Sequence, residues 1–109
     1  MRELEPTIEI IAEDMSLACD KIRPIPGRRS YTEPVLAARA ASTLTLRRFG
    51  YSWSDIAYGF DKLSRGSVID WANNAKAGRF AGLYPDDQTA DKYAQSVAAR
   101  VPGRMGGAA

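Results

Sequence analysis

Residues 32–50 read TEPVLAARAASTLTLRRFG, and this stretch admits little besides a helix. Threonine caps free backbone amides, and proline is tolerated in a first helical turn, where its missing N–H would be unbonded anyway, so Thr32-Glu33-Pro34 reads as a start. Gly50 reads as the stop. Four alanines (Ala37, Ala38, Ala40, Ala41) leave the surface of this helix nearly bare, so another helix can approach its backbone closely, and Leu36, Ala40 and Leu44 supply an inward stripe. A helix of this kind is stable only when other helices close around it.

The remaining apolar residues supply them. Ile8, Ile11, Met15, Ala18 and Ile22 recur at steps of three and four, which predicts an acidic amphipathic helix over about residues 6–22. Cys19 lies beside that stripe and is expected to pack as a small hydrophobe. RPIPGRRS, residues 23–30, holds two prolines and a glycine and reads as a basic loop. After Gly50, Ser52 with Asp55 three positions on resembles a capping box and opens a short helix to about Tyr58, and Ser64 caps another that runs to about Lys76. Residues 79–87 read as a loop, and Ala90, Tyr93, Ala94, Val97, Ala98 and Val101 mark a final helix. The expected fold is all-α, about five helices in a single domain over residues 1–102 with a central helix-turn-helix, and VPGRMGGAA leads into a disordered tail at 103–109.

One cysteine and no histidine among 109 residues exclude a disulfide framework, a Cys/His zinc site and a histidine-based triad within the chain. No G-x-x-x-x-G-K-[ST] phosphate loop is present, and the acids sit at caps or on faces where solvation accounts for them. No enzyme, cofactor or metal is therefore expected. No apolar run approaches the roughly 20 residues needed to span a bilayer, and MRELEPTIEI is too acidic for a secretory signal, so no membrane association and a cytoplasmic, nucleoid-associated location are expected.

Net charge is +2 overall, but it is segregated: residues 1–20 sum to −5 and residues 21–79 to +7. A basic middle suits a polyanion, because the field and the release of counterions depend on local charge. On a helical wheel Val68, Trp71, Ala72 and Ala75 form the buried side of the 64–76 helix, Gly66, Asp70 and Asn73 lie opposite, and Arg65 and Ser67 flank the first turn. Arg65 has the reach for a bidentate pair with guanine, Ser67 offers a hydroxyl, and Gly66 lets a partner backbone come close. Asp70 would carry an anion toward phosphate if the helix lay flat in a groove, so the expected approach is end-on.

The order of residues from about Arg28 to Ala77 resembles the DNA-binding C-terminal domain of the bacterial replication initiator DnaA. Ser52-Trp53-Ser54-Asp55-Ile56-Ala57 matches that family's short S-L-P-E-I-G helix, Phe60 its phenylalanine, and Ser67-Val68-Ile69 its T-V-L run, without a gap. Where the family has G-G-R-D-H-T, this chain has Asp61-Lys62-Leu63-Ser64-Arg65-Gly66, so the family's target sequence does not carry over. The resemblance implies a Trp-repressor-like helix-turn-helix and a basic loop on phosphate, without the initiator's ATPase module.

Together these readings predict a sequence-preferring double-stranded DNA-binding protein, a free-standing regulator of transcription or a replication accessory. Arg65, Ser67 and Gly66 are the expected base-contacting residues, and Arg28, Arg29, Arg47, Arg48, Lys62 and Ser64 the phosphate-contacting ones. The alternative is a protein-protein interaction module that docks a partner, or a second copy in a homodimer, through the acidic first helix or the Trp53-Tyr58-Phe60 region.

Overall fold

A computed structural model describes residues 2–23, 32–60 and 64–102. Among them the fold is all-helical, as expected: α1 (Leu4–Met15), α2 (Cys19–Ile22), α3 (Glu33–Arg48), α4 (Trp53–Gly59), α5 (Arg65–Lys76) and α6 (Ala90–Arg100), with one 3-10 turn at Pro85–Asp87. The predicted tail at 103–109 lies outside the described residues.

α3 is the axis around which the others pack. Every residue from Ala37 to Leu46 is buried, and α1, α2, α4, α5 and α6 all lie against it. The alanines make this close approach feasible, whereas the predicted three-residue stripe understates it: Leu36 is only half-buried and the helix is enclosed on all sides. An all-round buried helix that contains Ser42, Thr43 and Thr45 must satisfy three hydroxyls, and each donates to the carbonyl one turn earlier. Ser42 Oγ reaches Ala38 O at 2.9 Å, Thr43 Oγ1 reaches Arg39 O at 3.0 Å and Thr45 Oγ1 reaches Ala41 O at 2.7 Å. Thr32 stands at the expected N-cap position with extended backbone, but its side chain makes no capping bond; Pro34 does fall in the first turn.

The first predicted helix is two helices. Ser16 adopts φ 56°, in the left-handed region, and the amide of Leu17 returns to Ala12 O at 2.8 Å, so α1 closes in a Schellman-type end. Ile8 and Ile11 are buried as the spacing predicts, and Ile22 reaches the same core from α2. The change of direction turns Ala18 and Cys19 outward, so the cysteine is exposed rather than packed. Thr7 and Leu4 extend the buried face of α1 toward its start.

At the opposite end of α1 the acid Asp14 is tied to α6. It accepts a hydrogen bond from Tyr93 Oη at 2.8 Å and two from the Arg100 guanidinium, the first at 3.1 Å. Arg100 holds the Asp14 carboxyl below the usual aspartate range, and burial together with the bond to Asp14 pushes the Tyr93 phenol up. Solvation therefore does not account for this acid: it is a structural clamp. Tyr93 also stacks on Tyr84, 5.3 Å between ring centroids, and Tyr84 Oη donates to Ala37 O at 2.9 Å. The 79–87 segment is a loop as expected, yet Phe80 and Tyr84 plug it into the core.

Candidate nucleic-acid interface

α4 and α5 pack on each other and both contact α3, so the two helices form a pair seated on the central helix. The start of α4 is set by a complete capping box: Ser52 Oγ accepts from Asp55 N at 3.1 Å, and Asp55 Oδ2 accepts from Ser52 N at 3.3 Å. Its end is set by Phe60, which leaves helical geometry and buries its ring completely. Phe60 meets Trp71 of α5 edge-to-face, with centroids 5.8 Å apart and planes at 87°. One aromatic contact thus fixes the second helix of the pair against the first.

α5 divides by phase as the wheel predicts. Val68, Ala72 and Ala75 are buried, Trp71 is half-buried against the core, and Gly66, Asp70 and Asn73 are exposed. Its first turn is open. Ser64 caps the helix by accepting from Ser67 N at 3.3 Å, and the two hydroxyls lie 3.0 Å apart. One of the two donates to the other, so the pair keeps one outward-facing O–H, carried by whichever serine is the acceptor. Arg65 is exposed and has no ion pair or hydrogen bond of its side chain among the described residues. A Cβ placed on Gly66 would meet only Ser64 Oγ, at 3.9 Å, so the space outside that residue is open.

The arginines of the basic middle fall into two groups. Arg23 pairs with Glu5 of α1. Arg79 bonds Glu33 in a fork, Nε to Oε1 at 3.3 Å and Nη2 to Oε2 at 3.1 Å. Arg47 donates to Tyr51 O at 3.0 Å and lies 4.5 Å over the Trp53 ring, so it joins the end of α3 to the start of α4. Arg39 is buried. Arg48 and Arg65 remain exposed without such engagements among the described residues. The helix pair thus brings Ser64, Arg65, Gly66 and Ser67 together at one turn, while Arg47 and Arg48 come from the end of α3; Arg28, Arg29 and Lys62 lie outside the described residues.

Sequence reasoning passed over Arg39, because it sits among alanines on a helix whose faces could not be ranked. It also passed over the Asp14–Tyr93–Arg100 clamp, whose partners are about eighty residues apart in sequence. Among the described residues no group of three or more His, Cys, Asp or Glu side chains is arranged to hold a metal, and no helix is long and apolar enough to cross a membrane. In comparisons with known proteins, no family model matches the chain, and no curated protein and no solved structure shows significant similarity to it.

Proposed function

We propose that this chain is a sequence-preferring double-stranded DNA-binding protein that inserts α5 by its N-terminal end, acting as a free-standing regulator or a replication accessory. The observation that carries the reading is the contrast within α5: a side locked by Val68, Trp71 and Ala72, and a first turn where Ser64, Arg65 and Gly66 are exposed and Ser67 is half-buried beside them. A reader helix requires both, since side chains that contact bases are useful only on a rigid support. The amides of Arg65 and Gly66, which precede the capped Ser67 amide, lie at the positive end of the helix dipole and suit a phosphate oxygen. The resemblance of residues 28–77 to the DNA-binding domain of DnaA supports the same reading.

Within it, Arg65 pairs with a guanine edge and the Ser64–Ser67 hydroxyl pair supplies one donor. Ser64 acts chiefly through the cap, and Gly66 admits the DNA backbone. Arg48 holds phosphate with Arg28, Arg29 and Lys62. Arg47 is already engaged by Tyr51 and Trp53 and contributes mainly by fixing α4. Asp70 sits exposed, well beyond the first turn, where end-on insertion keeps it from the phosphates.

Selection of bound sequences from a random duplex pool, run at two salt concentrations, tests the proposal. An enriched motif is expected, with log affinity falling against log salt at a slope of about −0.9 per phosphate contacted. Salt-sensitive binding without any motif would reduce the protein to a nonspecific coat, and no binding would overturn the reading.

The second reading, a protein-docking module, draws on Tyr58, which is 68 % exposed on α4, and on Glu9 and Glu13, exposed on α1. Its aromatic patch is smaller than the sequence suggests, because Phe60 is buried and Trp53 lies under Arg47. A pull-down that survives both nuclease treatment and neutralisation of Arg65 and Arg48 would favour it.

A further inference from the structure

Arg39 is the largest fully buried side chain among the described residues, at 1 % exposure in the middle of α3. Its Nε donates to Ile22 O at 2.7 Å and its Nη2 to Lys21 O at 3.1 Å, the last two carbonyls of α2. Its guanidinium carbon lies 5.7 Å from the ring centroid of Trp71 on α5. One side chain of α3 thus links that helix to two others, α2 and α5.

Burying a guanidinium is costly unless its donors are satisfied, and methionine would fill a similar volume with no charge to desolvate. What methionine could not do is bridge. The carbonyls at the end of a four-residue helix have few intrahelical partners, and the guanidinium satisfies two of them while its charge lies within cation–π reach of the indole. Trp71 also meets Phe60, the residue that ends α4, edge-to-face, so its ring is engaged by both Phe60 and Arg39.

We propose that Arg39 is a positioning residue: through Trp71 it fixes the pose of α5 against the platform formed by α2 and α3, and so fixes how the first turn of α5 is presented. This rests on the DNA-reading function proposed above. A residue that only stabilised the fold would affect all binding alike as the folded fraction fell. One that sets the pose of α5 acts on discrimination, because nonspecific phosphate contacts tolerate a shift that base contacts do not.

Four variants test it, Arg39→Met, Arg39→Lys, Trp71→Leu and Arg39→Met combined with Trp71→Leu. Each is assayed at a temperature where circular dichroism shows it folded. The readout is the ratio of affinities for a selected duplex and a random duplex. Arg39→Met and Trp71→Leu should each lower that ratio about tenfold, and the double variant no further than the worse single one. Arg39→Lys, which keeps the charge and a donor, should recover part of the loss. An undiminished ratio in folded Arg39→Met, or an additive double variant, would overturn the proposal.

Amide hydrogen exchange supplies an arm independent of DNA and of the reader assignment. Arg39→Met should speed exchange in both residues 21–23 and α5 while leaving α6 unchanged, and acceleration confined to residues 21–23 would overturn the coupling. If the parent protein binds no duplex, the DNA reading fails while the exchange arm still decides whether Arg39 couples α2 to α5. Should Arg39→Met not fold, Trp71→Phe keeps an apolar ring and carries the same two measurements. It should lower the ratio and loosen α5, and no change in either would overturn the proposal.

Discussion

At the junction of α1 and α6, Asp14 accepts from Tyr93 and Arg100, and each polar group there has a partner drawn from a distant part of the chain. At the first turn of α5, Ser64 and Ser67 bond, among the described residues, only to each other and to their own helix, and Arg65 is exposed. Both regions hold hydroxyl groups and an arginine. In the first, long-range hydrogen bonds consume the charge in holding the fold; in the second, local caps shape the backbone and leave the charge available. The same division runs through the arginines, with Arg23, Arg39, Arg47, Arg79 and Arg100 engaged within the molecule and Arg48 and Arg65 presented outside it. A count of arginines along a sequence therefore overstates the number of guanidinium groups free to meet a partner.

The largest effect is expected in the support beneath the open turn. Phe60→Ala removes a fully buried ring and its contact with Trp71 and should cost about 3–5 kcal/mol in chemical denaturation. A loss near zero would mean that α4 and α5 are not fixed to each other as described.

Asp14→Asn sharpens the other side. With Asp14 about one-fifth and Arg100 nearly half exposed, the clamp is worth about 1 kcal/mol, read as a fall of several degrees in Tm at neutral pH. The sign of its pH dependence follows from the depressed carboxyl. Asp14 ionises more readily in the folded state than in the unfolded one, so its contribution is present above the ordinary aspartate value of roughly 3.9 and is lost as pH falls through the lower folded value. Below that window parent and variant should converge in stability, and a gap that instead widened on acidification would contradict the clamp.

Thr7 gives a smaller effect of opposite sign. Its Oγ1 is buried in α1 without a hydrogen-bond partner among the described residues, unlike Ser42, Thr43 and Thr45, whose hydroxyls all reach the carbonyl one turn back. Replacing it by the near-isosteric valine should stabilise the fold by about 0.5–1 kcal/mol in the same denaturation assay, because an unsatisfied hydroxyl is costly to bury. Destabilisation would show that the hydroxyl has a partner. Smallest of all, Arg65→Ala should leave stability within about 0.5 kcal/mol of the parent, as befits an exposed side chain with no ion pair or hydrogen bond among the described residues.

The helix pair was the most legible part of the sequence, because its signals are local. Ser52 with Asp55, and Ser64 with Ser67, write the two helix starts within four residues each, and the phase of Val68, Trp71, Ala72 and Ala75 places the open side of α5. The break at Ser16 was not legible, since Ile8, Ile11, Met15, Ala18 and Ile22 keep a helical period across it, and a serine at positive φ leaves no trace in hydropathy. The burial of Arg39 was equally hidden. Its partners are carbonyls, which carry no residue signature, and an indole on a helix that begins twenty-six residues later. Tyr84 and Phe80 sit in a segment that reads as a loop, and only the packing of that loop on α3 and α6 makes them core.

Base reading by the exposed first turn of α5 is decided by competition binding on Arg65→Ala. The variant is titrated with a selected duplex and with random duplex DNA at one fixed salt concentration, beside Arg48→Ala. Arg65→Ala should lose about tenfold or more on the selected duplex and little on random DNA, while Arg48→Ala should weaken both to a similar degree. An equal loss on both duplexes for Arg65→Ala would show that this side chain does not read bases and would rule out end-on reading by α5.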